Sequence, residues 1–269
     1  MLSPSFVLFE FICTALKGRE SCFITNEDLG SETEEQTGRS FDHILDSLRA
    51  EHQVADNQAA LKAALQGLEE HFRVRGSELP FSYDLNTRQF KSKDAEFIKF
   101  IADVSGRRSS GAKYAKDFEN ATCVRLAKKV TGSLHNVGWP RKDLTTSPQY
   151  KRYLKTLGFD NRVILGEERD GGLDIVWLPP LGAVPLIPII SLQCKNGLFS
   201  RSVAREAVNR TAETLLCHRM LRGSGVHLSA VVFNDYIEPH RLPNKPIAYI
   251  PLGLSDLAVT HEETPVSTI

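Results

Sequence analysis

Ile190-Ser191-Leu192-Gln193-Cys194-Lys195-Asn196, with Gly171-Gly172-Leu173-Asp174-Ile175-Val176-Trp177 upstream of it, is the part of the chain that decides the fold. Period-two alternation puts Ile190, Leu192 and Cys194 on one face of a strand and Ser191, Gln193 and Lys195 on the other. An amide and a lysine at the end of an otherwise apolar strand are expensive to bury without partners, so that end must open on a polar cleft. Asp174, set in the apolar run Leu173–Leu178, is the natural partner. Neighbouring strands lie about 4.8 Å apart, close enough for side chains from both to share one ion.

Working outward, Asp170-Gly171-Gly172 reads as a hairpin turn, with a further strand at Arg162–Gly166 before it. The strands extend over Leu173–Leu178 and Leu186–Cys194, and Pro179–Pro185 is a loop. A helix is expected over Gly111–Val130, with Ala115, Phe118, Thr122, Leu126 and Val130 along one side. A second helix follows at Ser202–Leu221, then a buried strand at Leu228–Asn234. The order helix, three strands, helix, strand predicts an α/β or α+β core: a central mixed sheet flanked by helices. The first hundred residues read as mainly helical. Phe6–Ala15 is an apolar first helix, and Phe41–Phe72 places Ile44, Leu45, Leu48, Leu61, Leu65 and Leu68 at three- and four-residue spacing. Asp94–Val104 suggests one more helix. The polar stretch Ser105–Ser110 divides the chain into a region 1–105 and a core 106–269.

The net charge is zero, but its distribution is uneven. Ten acidic residues between Glu20 and Ala60 face only Arg39 and Arg49, whereas Gly106–Asp160 holds twelve Lys and Arg against four acids. A polyanion responds to such local potential rather than to the total. The five cysteines show neither C-x-x-C pairs nor zinc spacing, which suits buried thiols in a reducing compartment. No run of apolar residues reaches membrane-spanning length, and Phe6–Ala15 lacks the flanks of a signal peptide, so a cytoplasmic protein is expected. Neither a phosphate loop nor a dinucleotide fingerprint is present, so no nucleotide cofactor is expected. His135, His227 and His240 have no ligand or triad spacing and read as structural. Glu167, Glu168 and Asp170 sit at or beside the expected turn and read as solvated.

The pattern resembles the PD-(D/E)XK nuclease superfamily, which includes most type II restriction endonucleases. In that family an aspartate from one strand and an acid-x-lysine from the next gather around Mg²⁺. Asp174 matches the aspartate and Lys195 the lysine, while Gln193 holds the place of the second acid, as in the Gln-x-Lys strand of Mrr-type endonucleases. Leu173 stands where the family often has proline. Lys113-Tyr114-Ala115-Lys116-Asp117-Phe118-Glu119-Asn120 resembles the family's first core helix, whose glutamate reaches the metal directly or through water. The likeness covers about Gly111 to Asp235.

The resemblance implies a restriction-endonuclease-like core and a type II enzyme that cuts double-stranded DNA at a short specific site, leaving a 5′-phosphate and a 3′-hydroxyl. Asp174, Gln193 and Glu119 would be the metal ligands, and Lys195 would hold the attacking water. Hydrolysis of a phosphodiester needs an activated water and compensation of developing negative charge, and Mg²⁺ with few carboxylates supplies both. Arg201, Ser202 and Arg205 at the start of the second core helix, with Asn196, are candidate DNA contacts. Two cuts in antiparallel strands favour a homodimer. Two alternatives stay open: a repair, recombination or modification-dependent nuclease of the same fold, and a DNA-binding module without catalysis.

Overall fold

The computed structural model describes residues 2–23, 31–84, 86–108, 112–136, 174–178, 189–217, 227–242 and 247–258. The strand expected at Arg162–Gly166, the turn at Asp170–Gly172 and the loop Pro179–Pro185 lie outside the described residues. The protein is mixed α/β, with seven α-helices and two sheets among the described residues. It divides into two compact units, 1–108 with 254–269, and 109–253. The stretch from Leu254 thus belongs to the first unit rather than to the expected core of 106–269.

In the first unit, α1 (Pro4–Leu16) begins with proline in its first turn, where no helical hydrogen bond is lost. Its sides are apolar almost all round, and Phe6, Leu8, Phe9, Phe11, Ile12, Cys13 and Leu16 are all buried, so it forms the core of this unit. Phe9 lies 5.3 Å from the ring of Phe72 and 5.7 Å from that of Phe81. Burying each such side chain contributes about 1.5–3 kcal/mol. Glu10 is the exception on this helix. It is 3% exposed and is forked by Arg108, with Arg39 at 3.4 Å.

The region expected as one run from Phe41 to Phe72 is two helices, α3 (Phe41–His52) and α4 (Asn57–Val74), after a short α2 (Ser31–Thr37). Gln53 enters the left-handed region at φ 55°, ending α3. Asp56 then starts α4 by accepting the Ala59 N–H at 2.8 Å, a side-chain cap that competes with helix continuation. Asp94 does the same for α5 (Ala95–Ser105), accepting from Phe97 N–H at 2.8 Å.

A small antiparallel sheet was not expected in this unit. It consists of β1 (Ser21–Phe23), β2 (Phe81–Asp84) and β3 (Gln89–Ser92) in the order β1-β3-β2. Strands of three and four residues are too short to display an alternating pattern against the helical signal around them.

A 3₁₀ turn at Leu254–Leu257 closes the first unit, burying Leu254 and Leu257. His71 Nε2 and Ser255 Oγ share a hydrogen bond of 2.7 Å, and Arg75 pairs with Asp256 at 3.3 Å. Burial, and then the charge of Arg75, lower the His71 pKa to about 3. Between pH 6.5 and about 3 the unfolded chain therefore takes up a proton at this position that the folded chain refuses. Stability contributed by neutral His71 is present above pH 6.5 and lost as pH falls through that window. Thermal melts from pH 7 to pH 4 should show a falling midpoint, with a shallower slope in His71→Gln; an identical slope in that variant would exclude this cause.

The second unit is built on a five-stranded sheet, order β4-β5-β6-β7-β8. Its elements are α6 (Ala112–Lys129), β4 (Ser133–Asn136), β5 (Ile175–Leu178), β6 (Ile189–Lys195), α7 (Arg201–Cys217), β7 (His227–Phe233) and β8 (Ile250–Leu252). The β4–β5 and β5–β6 pairs are antiparallel, and the β6–β7 and β7–β8 pairs are parallel. The sheet is mixed, as the sequence predicts. Strands β4 and β8 were not expected from sequence, and both are short.

The two faces of β6 are covered differently. Val231 and Phe233 of β7 pack with Ala204 and Ala207 of α7, so that face belongs to α7. Parallel register sets Gln193 beside Val231 and Lys195 beside Phe233, on the same side. Leu192 and Cys194 take the opposite side, where the Cys194 thiol meets Thr122 of α6. Ala204 and Ala207 are buried at the start of α7, whereas Val203 is 40% exposed.

Candidate active site

One end of the larger sheet gathers the chemistry. Antiparallel register pairs Asn136 at the end of β4 with Ile175 at the start of β5, and Ile175 with Leu192 near the end of β6. Leu192 in turn pairs with Ala230 of β7, whose exit lies at the same edge. Asp174 stands immediately before β5. Its backbone N–H donates to the Leu192 carbonyl at 3.2 Å, and its carboxylate Oδ2 accepts the Cys194 N–H at 2.6 Å. Continuing the β5–β6 register by one residue sets Asp174 opposite Gln193.

Gln193 is 3% exposed, whereas Asp174 and Lys195 are half-buried. A buried amide beside a carboxylate and a lysine is therefore a real feature of this strand end, and burying it costs a few kcal/mol unless its polar atoms are compensated. The Lys195 backbone is fixed in place: its carbonyl accepts N–H groups from Asn234 at 3.0 Å and Gly197 at 2.8 Å.

Glu119 approaches from α6. It is 6% exposed and paired with Lys116 Nζ at 2.6 Å, one helical turn earlier. The same helix buries Phe118, Thr122 and Leu126, as expected, but also Arg125. Ala115, placed on that side from sequence, is exposed. Asn136 Nδ2 donates to Asn120 Oδ1 at 2.7 Å, fastening α6 to the end of β4.

Electrostatics locate Glu119 relative to the strand. Burial pushes the Cys194 thiol well above its ordinary pKa, and the carboxylates of Asp174 and Glu119 push it the same way. Burial and then Glu119 raise Cys123 as well. Both carboxylates thus bear on the space around Cys194. Thiols held protonated are poor nucleophiles, so covalent catalysis through either cysteine is disfavoured.

The four residues singled out from sequence therefore meet at one rim, but not on one face. Gln193 and Lys195 leave β6 on the α7 side, and Glu119 comes in from the α6 side where Cys194 points. Asp174 joins the two, as cross-strand neighbour of Gln193 and acceptor for Cys194 N–H. The donor set it offers a cation is all oxygen: two carboxylates and one amide. Among the described residues no group of three or more His, Cys, Asp and Glu could hold a metal ion. A hard cation that keeps several waters suits two carboxylates and an amide; a zinc-type site does not.

The candidate DNA contacts differ in their freedom. Arg201 is exposed, but its Nε and Nη2 both donate to the Arg241 carbonyl, at 3.0 and 2.8 Å. Ser202 Oγ lies 2.9 Å from Ser200 Oγ, and Asn196 Oδ1 accepts from Asn234 Nδ2 at 2.8 Å. Arg205 is exposed on the first turns of α7. Within the basic stretch 107–155, residues 109–111 and 137–155 lie outside the described residues.

Sequence reasoning missed the roles of Lys116, Arg125, Asp235 and Arg241. The Lys116–Glu119 spacing of three was a visible signal for a helical ion pair. Asp235 and Arg241 carried none, because their pairing depends on the path of the chain after β7. Comparison with known proteins returns nothing: no family model, no curated protein and no solved structure matches this chain.

Proposed function

We propose that this chain is a Mg²⁺-dependent DNA endonuclease of the PD-(D/E)XK kind, with its centre at Asp174, Gln193, Lys195 and Glu119. The observation that carries the proposal is the register: Asp174 and the Gln193-x-Lys195 pair sit on adjacent antiparallel strands, at the same sheet end. The element order supports it, since among the described residues a helix, three antiparallel strands, a helix and a parallel strand come in that order, with Ser133–Asn136 as the first strand.

Asp174 and the Gln193 amide oxygen would hold Mg²⁺, and Glu119, which comes from the other side of β6, would reach the ion through water at the strand end. The ion supplies a Lewis acid for the scissile phosphate and lowers the pKa of a bound water. Lys195 orients the attacking water and balances negative charge that grows on the phosphate oxygens. Lys116 pairs with Glu119 at 2.6 Å in this buried wall. We assign the enzyme to the type II restriction class, acting as a homodimer on double-stranded DNA in the cytoplasm and leaving 5′-phosphate ends. No helix among the described residues is long and apolar enough to cross a membrane.

Incubation of plasmid DNA with Mg²⁺, and separately with EDTA, tests the activity. Discrete fragments only with metal are expected, and sequencing their ends gives the site. A smear, or cutting confined to branched or modified DNA, would point instead to a repair or modification-dependent enzyme. A second reading, a DNA-binding module without catalysis, is favoured by the presence of only two carboxylates. Binding without cutting under any divalent cation would select it.

Gln193 separates these readings further. Gln193→Glu should retain cleavage and bind Mn²⁺ more tightly, because it adds a negative ligand. Gln193→Leu should lose on the order of 100-fold in single-turnover rate. Wild-type rates in both variants would show that Gln193 is only a packed strand residue.

A further inference from the structure

Asp235 is completely buried, yet it carries a carboxylate for which the proposed chemistry has no use. Its contacts tie the exit of β6 to the segment that follows β7. Its Oδ2 accepts the Phe199 N–H at 2.7 Å and pairs with Arg241 Nη2 at 2.7 Å, and its Oδ1 accepts the Tyr236 N–H at 2.8 Å. Arg241 spreads the contact. Its Nη1 donates to the Tyr236 carbonyl and its Nη2 to the Phe199 carbonyl, each at 3.2 Å, and its guanidinium lies 5.6 Å from the centre of the Phe199 ring.

The neighbouring residue completes the arrangement. Asn234 N–H holds the Lys195 carbonyl, and Asn234 Nδ2 holds Asn196 Oδ1. Two consecutive residues after β7 therefore grip both ends of the turn that leaves β6: Asn234 at Lys195 and Asn196, Asp235 at Phe199. A buried ion pair is costly to assemble, and a plain connection between strand and helix does not require one.

The geometry points to Asp235 and Arg241 as positioning residues for Lys195, fixing the strand end from which its ammonium projects. This inference rests on the nuclease reading for its catalytic consequence, but not for the effect on Lys195 itself.

The test is Asp235→Asn, which keeps the shape and one acceptor but discards the charge. Arg241→Lys is the second variant: it keeps the charge facing Asp235 and gives up the fork onto Phe199 and Tyr236. Lysines are reductively ¹³C-methylated and the Lys195 resonance is assigned with Lys195→Arg. In both variants that resonance is expected to move towards the position and narrow linewidth of exposed lysines, while the others stay put. Single-turnover cleavage should fall at least tenfold, with DNA affinity in Ca²⁺ unchanged within about twofold. Should Asp235→Asn fail to fold, Arg241→Lys alone decides by the same measurements. An unmoved Lys195 signal in a folded variant overturns the inference. A moved signal in a protein that cuts no DNA leaves the positioning intact and removes the nuclease reading instead.

Discussion

Asp174→Asn is expected to lower Mg²⁺-dependent cleavage by roughly 10³-fold or more, equivalent to about 4 kcal/mol of transition-state stabilisation. The substitution is nearly isosteric, and the asparagine oxygen can still accept the Cys194 N–H that Asp174 Oδ2 now accepts. Fold and DNA affinity should therefore survive, as circular dichroism and binding in Ca²⁺ would show. An independent readout lies in the thiol. The Asp174 charge helps hold Cys194 protonated, so its removal should lower the pH at which Cys194 reacts with a disulfide reagent. Cleavage at the wild-type rate in Asp174→Asn would remove this residue from the centre, whatever the thiol does.

Salt should have the second large effect. If the basic segment from Arg107 and the start of α7 line a DNA cleft, each neutralised phosphate contributes a slope of about −0.9 in log K against log salt. Six to ten contacts would reduce affinity by about 10³- to 10⁵-fold between 50 and 200 mM salt, in a chain of zero net charge. The structure ranks the arginines. Arg205→Ala should weaken specific and random DNA alike and reduce the slope by about one unit. Arg201→Ala should change the slope less, because the Arg201 guanidinium already gives two hydrogen bonds to the Arg241 carbonyl. A flat salt response in the wild-type protein would remove the cleft, and most of the support for a DNA substrate with it.

What the sequence reveals here depends on length and on locality. The alternation of Ile190 to Lys195 is long enough to fix a strand and its two faces, and α6 and α7 announce themselves by apolar spacing. The pairing of Asp174 with Gln193 follows from placing those two strands side by side. Short strands such as Ser21–Phe23 and Ile250–Leu252 carry too few residues for a pattern, and their pairing partners are distant in sequence. The break between α3 and α4 was written in Asp56, a capping residue, but the apolar spacing runs through it and masks it. The site shows the same divide. Residues on the strands were legible, whereas the approach of Glu119 from the other side of β6 depends on which face α6 covers, a property of tertiary packing alone.

The return of the chain at Leu254–Leu257 makes the second unit an insertion between two parts of the first. On a ribosome, residues 109–253 emerge before the segment that brings Ser255 to His71 and Asp256 to Arg75. The inserted unit is thus available to fold first, while the surrounding one waits for its closing turn. Cleavage of the backbone between Gly253 and Leu254 would leave the sheet carrying Asp174 and Lys195 covalently whole, yet detach the turn that closes the helical unit at His71. Loss of stability and loss of the site are thereby placed on separate pieces of chain, and a protease that clips the C-terminal end would show them parting.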